Sequence, residues 1–126
     1  MSVEHTHIVC GHPDEMPDNT QYFVSLDKNV KPKSMDRQTR LVRHIPNPFR
    51  GKGNPIDMSV VNMSEVWDTA SMIVTLGDTL ANTEHVRPEG LGVVFFHCRM
   101  GRDRTGIVRN EVNRILKRRV MMNEKK

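Results

Sequence analysis

The spacing of apolar residues divides the chain into short strands followed by two helices. Residues 3–10 and Gln21–Leu26 read as strands separated by Gly11–Asn19, a segment rich in Gly, Pro, Asp and Asn. The two strands are expected to form a hairpin-like pair. Thr39–Ile45 alternates as a third strand, with Leu41 and Val42 facing the core. A long loop follows from Pro46 to Asp57, holding three prolines and two glycines. Val60–Asn82 has helical spacing. Its stripe is Val66, Ala70, Ile73, Gly77 and Leu80, with Val60, Met63, Trp67 and Leu76 beside it. Either Ser64 caps a break within the helix or the helix begins near Asp57 or Ser59, and Trp67 is expected in the core. Residues 83–92 form a loop. Val93–Phe96 is an unbroken apolar run of β type, the mark of a buried strand. Thr105–Met121 is the last helix, with Val108, Val112, Leu116 and Val120 on one face and Ile115 adjoining. This order predicts a single α/β domain over 1–126, a small three-layer unit whose mostly parallel sheet is flanked by helices.

A chain of 126 residues with 37% hydrophobic content suffices for one small core. No stretch has the length of a membrane span, and the start has neither a basic cluster nor a long apolar run. A soluble, cytoplasmic protein is therefore expected. The net charge is +4, and its placement changes the picture. Between residues 99 and 119 stand Arg99, Arg102, Arg104, Arg109, Arg114, Lys117, Arg118 and Arg119, against Asp103 and Glu111. That segment should draw anions: phosphorylated protein, lipid or nucleotide, with the basic C-terminal helix as a possible anionic contact surface.

The candidate chemistry lies where the buried strand ends. Val93-Val94-Phe95-Phe96 runs into His97-Cys98-Arg99-Met100-Gly101-Arg102-Asp103-Arg104-Thr105-Gly106. Strand, tight loop and helix start make an anion site, because loop N–H groups turn inward and the helix dipole adds positive charge. A free thiol titrates near about 8.5, and helix N-termini with cationic neighbours lower that to roughly 3.5–7.5, so Cys98 is a candidate thiolate nucleophile. Arg104 supplies a planar fork for two phosphate oxygens. Thr105 can donate a hydrogen bond to the sulfur. Of the two cysteines, Cys10 is read as a small hydrophobe at a strand end, or as a resolving thiol for Cys98. His5, His7 and His12 have no fourth ligand near them in the sequence, and neither a metal site nor a cofactor is expected.

His-Cys, five residues, Arg-Thr, with Gly third of the five, resembles the cysteine-dependent protein tyrosine and dual-specificity phosphatase superfamily. Asp103 before Arg104 makes it most similar to the subset that includes bacterial tyrosine and lipid phosphatases and myotubularin-type phosphoinositide phosphatases. The likeness is specific over residues 93–109 and loose from about 39 to 119. It implies hydrolysis of phosphomonoesters through a cysteinyl-phosphate on Cys98. Residues 99–104 (Arg99, Met100, Gly101, Arg102, Asp103 and Arg104) would bind phosphate, and His97 would support the loop from behind. It implies protein phosphotyrosine or dual-specificity activity. The charge of Arg99 and Arg102 suits a phosphoinositide or an RNA 5′ end as the alternative. A phosphate-binding interaction module without turnover is the other class. Family members continue with further helices where this chain is C-terminally short, and Asn47, Pro48 and Phe49 stand where an Asp commonly follows Ile-Pro. Two acids therefore compete. Asp57 closes the Pro/Gly-rich loop, which the likeness makes a mobile lid, and is preferred. Asp103, flanked by Arg102 and Arg104, suits a base or an orienting carboxylate. Asp68 is read as a surface residue.

Overall fold

The computed structural model describes residues 3–27, 39–43, 45, 61–83, 92–98 and 103–124. Four strands form one all-parallel sheet in the order β1-β4-β2-β3: β1 Ile8–Cys10, β2 Thr20–Ser25, β3 Thr39–Val42 and β4 Val93–His97. The described residues also hold two α-helices, α1 Met63–Thr83 and α2 Asp103–Glu124. The chain thus has an α/β fold with a parallel sheet, as the element order suggests.

β4 takes the centre for a physical reason. All five of its residues are buried, so both faces and both edges need cover. β1 pairs on one side through Ile8–Val94 and Cys10–Phe96. β2 pairs on the other through Phe23–Phe95, Val24–Phe96 and Ser25–His97. The hairpin expected between the first two strands is therefore not formed: β1 and β2 lie on opposite sides of β4 and run parallel. The turn-rich segment between them, with a single 3₁₀ turn at Pro13–Glu15, carries the chain back to the starting edge rather than reversing it. The two edge strands are short, which limits their capacity to pair with another chain. β1 is also shorter than its apolar pattern, because residues 3–7 are tied into turns by His5 N–H to Val3 O and Ile8 N–H to His5 O.

One core joins both helices to the sheet. Ile8, Val24, Val94 and Phe96 meet Val66, Ala70, Ile73, Val74 and Leu80 of α1 and Val108, Val112 and Leu116 of α2. At about 25 cal/mol per Å² of apolar surface removed from water, this burial is the main favourable contribution to folding. α1 starts later than its apolar spacing indicates. Asn62 Oδ1 accepts from the N–H groups of Ser64 and Glu65 at 3.0 and 3.3 Å, capping the helix. Val61 is buried but precedes the cap. Trp67 is 48% exposed, contrary to its expected core place. It stands about 100° around the helix from Val66, which takes the core position. Val42, also expected inward, is exposed, while Leu41 packs against the core. α2 runs past the sheet after Leu116, so Val120 is exposed with Met121 and Met122. The helices are tied by Arg119 Nη2 and Asp78 Oδ2 at 3.0 Å, and His5 Nε2 lies 3.1 Å from Asp78 Oδ1. Among the described residues, no helix is long and apolar enough to cross a membrane.

Candidate functional site at the carboxyl edge of the sheet

Because every strand runs the same way, all four carboxyl ends open on one edge, where α/β sheets hold their ligands. Cys98 follows the last residue of the central strand and is buried. α2 begins at Asp103, two residues earlier than its apolar spacing predicts, so Arg104 and Thr105 belong to the first helical turn. There the helix dipole supplies partial positive charge.

Arg104 is the most constrained polar side chain here. It is 7% exposed. Its Nη2 donates to Asp27 Oδ2 at 3.0 Å, and its Nη1 donates to the Ile45 carbonyl at 3.2 Å. Asp27 is 3% exposed, so this pair is shielded from water. The anchors are themselves fixed by backbone bonds across three strand ends. Leu26 N–H donates to His97 O at 2.8 Å, and Ile45 N–H donates to Leu26 O at 3.0 Å. Ser25 Oγ–H donates to Asp27 O at 2.7 Å. The guanidinium is thus held by the ends of β2 and of the segment after β3. Among the described residues its Nε–H has no hydrogen-bond partner, and neither has the fully buried hydroxyl of Thr105. Thr105 therefore makes no hydrogen bond to the Cys98 sulfur, the one contact expected of it that this geometry does not contain. Buried donors without acceptors are unfavourable by about 1–3 kcal/mol each, and such groups mark places where a ligand can complete the bonding.

His97 lies behind the site, fully buried. Its ring stacks against those of Phe95 and Phe23, at centroid distances of 5.8 and 6.2 Å. Nδ1 is 3.1 Å from the Cys98 carbonyl, a bond that only a protonated Nδ1 can make. It fixes the backbone at Cys98 from the far face. Cys10 ends β1 in the neighbouring strand, partly buried, and both cysteines are free thiols. Burial pushes the Cys10 thiol up, against an opposing pull from Arg109, so it is less reactive than a solvent-exposed thiol. His5 and His7 are drawn into structure: His7 Nδ1 is 2.8 Å from Gly92 O, and His5 Nδ1 accepts from His7 N–H at 3.0 Å. His12 caps the 3₁₀ turn through Asp14 N–H.

The structure therefore sets His97 and Cys98 at the carboxyl end of β4, and Arg104 and Thr105, with half-buried Asp103, in the first turn of α2, with Arg104 tied to Asp27 just beyond β2. Arg99, Met100, Gly101 and Arg102 lie outside the described residues, as do Asp57 and the loop from Pro46. Asp68 is exposed on α1. Sequence reasoning missed Asp27. The signal was present: a carboxylate directly after the apolar strand Tyr22-Phe23-Val24-Ser25-Leu26 sits at a strand's carboxyl end. No family model, curated protein or solved structure matches the chain.

Proposed function

We propose that this protein is a metal-independent phosphomonoesterase of the cysteine-dependent type. The observation that carries the reading is the buried Arg104, held by Asp27 and the Ile45 carbonyl in the first turn of the helix that follows Cys98 at the carboxyl end of β4. A thiol at a strand end and a fixed cation at the next helix N-terminus suit a phosphoryl group. Cys98 Sγ attacks phosphorus in line, the S–P bond forms and the P–O bond to the leaving group breaks. Arg104 and the loop amides of residues 99–104 hold the equatorial oxygens as charge shifts. Asp57 protonates the leaving oxygen, with Asp103 in support. The same carboxylate then takes a proton from the water that releases phosphate and the Cys98 thiolate.

The substrate class proposed is protein phosphotyrosine or other phosphorylated protein side chains, in the cytoplasm, where free Cys10 and Cys98 stay reduced. Lys117 and Arg118, exposed on α2, suit contact with an acidic partner. The experiment is a panel of phosphotyrosyl and phosphoseryl peptides, phosphoinositides and 5′-triphosphorylated RNA, assayed with EDTA present. Turnover that survives EDTA and disappears in Cys98→Ser is the expected result. Full turnover by Cys98→Ser, or loss to EDTA, overturns the mechanism. Phosphopeptide capture with no turnover assigns the chain to the binding-module class instead.

A further inference from the structure

Building on the phosphomonoesterase reading, we infer that Asp27 is the positioning residue for Arg104. It fixes the end of the guanidinium that faces away from substrate and so leaves the Nε edge for the phosphate. Three observations carry this. Asp27 is buried beside Arg104, with Oδ2 3.0 Å from Nη2 and both side chains nearly closed to water. The second anchor, Ile45 O, takes Nη1. The nitrogen left without a partner is Nε. A guanidinium offers two forks, Nη1–Nη2 at its end and Nε–Nη2 along its side. With Nη1 and Nη2 engaged by Ile45 and Asp27, Nε on the side of the guanidinium is the donor left for an oxyanion.

Asp27 is well placed to do this without flexing. Its own carbonyl is held by Ser25 Oγ–H at 2.7 Å, and its neighbour Leu26 is bonded to His97, the residue before the nucleophile. A single chain of hydrogen bonds therefore runs from the Cys98 strand, through the ends of β2 and the Ile45 segment, to Arg104. A change at Asp27 alters the direction of Arg104 relative to Cys98, and a misplacement on the order of 1 Å can reduce rate by about 100-fold. The carboxylate also balances the buried arginine while no phosphate is bound.

The test uses the full chain, with tungstate as oxyanion probe and an aryl phosphate as substrate. The proteins are wild type, Asp27→Asn, Asp27→Glu, Arg104→Ala and the double variant Asp27→Asn/Arg104→Ala. Each is measured well below its melting temperature, after circular dichroism shows it folded. Asp27→Asn is expected to weaken tungstate binding and kcat/KM by about 10–100-fold, and Asp27→Glu to recover part of both. The double variant should be no worse than Arg104→Ala, since Asp27 acts only through Arg104. Wild-type affinity and rate in folded Asp27→Asn, or losses that simply add in the double variant, overturn the inference. Should Asp27→Asn fail to fold, Asp27→Glu decides alone: unchanged affinity and rate count against positioning, and a loss in both supports it. Failure of the underlying reading looks different. A wild type that binds tungstate but releases no phosphate removes the proposed activity while the binding data still decide on Asp27. A wild type that does neither overturns both.

Discussion

The two helices begin in opposite ways. α1 starts in solvent, where Asn62 accepts from the N–H groups of Ser64 and Glu65 and the helix end satisfies itself. α2 starts in the interior, where Arg104 and Thr105 are buried, one tied to Asp27 and the other without a hydrogen-bond partner among the described residues. A self-capped helix start is a structural solution complete in itself. A buried start that holds a charge and an unused donor is less stable than it could be, and so points to an anion that completes it. A glycine in each helix repeats the contrast. Gly77, midway along α1, lets that helix lie directly on Ile8, whereas Gly106, in the first turn of α2, has no described residue within reach of an added methyl.

The largest effect expected on stability comes from Arg104→Ala. It removes the arginine from a buried ion pair with Asp27, a change worth about 3–5 kcal/mol in comparable buried pairs. Urea unfolding near neutral pH measures it. A loss under about 1 kcal/mol would erase the distinction between the two helix starts.

Gly77→Ala is next. An ideal Cβ there would stand 2.6 Å from Ile8 Cγ1. Overpacking of this kind typically costs about 1–3 kcal/mol, against a helix-propensity gain of about 1 kcal/mol. A net loss of about 1 kcal/mol is expected. Gly106→Ala meets no described residue and should gain up to about 1 kcal/mol. Equal responses from the two glycines would contradict the packing described.

How far these features could be read in advance depended on where their causes lie. The run Val93–Phe96 into His97-Cys98 carried its own signal, because a strand buried on both faces must be apolar throughout. The α1 stripe was likewise local, and Val66, Ala70 and Ile73 are fully buried. Strand neighbours were not local. Nothing in residues 3–26 says that the distant strand Val93–His97 will lie between the first two, so the hairpin expectation failed. Trp67 failed for a related reason: size suggests burial, but helical phase decides it. Asp27 was passed over because its meaning depends on Arg104, a partner that only the fold brings near.

Asn62→Ala should cost about 1 kcal/mol by removing the α1 cap, with no change in oxyanion binding at the other helix. Thermal melts with and without tungstate separate the two effects. An altered tungstate affinity in this variant would mean that the helix starts are coupled.

The smallest effect concerns the tie between the helices. Burial acts to raise the Asp78 carboxyl, but hydrogen bonds from Arg119 and His5 together outweigh it and hold the group below its usual value. A carboxylate lowered in the folded state contributes stability above its unfolded value of about 3.9, and that contribution is lost as pH falls through the lower folded value. Asp78→Asn should therefore be slightly less stable than wild type near pH 6, and the gap should close as the pH drops below about 4. A gap that widens in acid would reverse the assignment.

The most direct measurement is to mix the protein with an aryl phosphate, quench within the first turnover and map the peptides by mass. The peptide containing Cys98 should carry one added phosphoryl group, absent in Cys98→Ser and much reduced in Arg104→Lys. Phosphate release at full rate with no label on Cys98, or label on another residue, would contradict the proposed nucleophile.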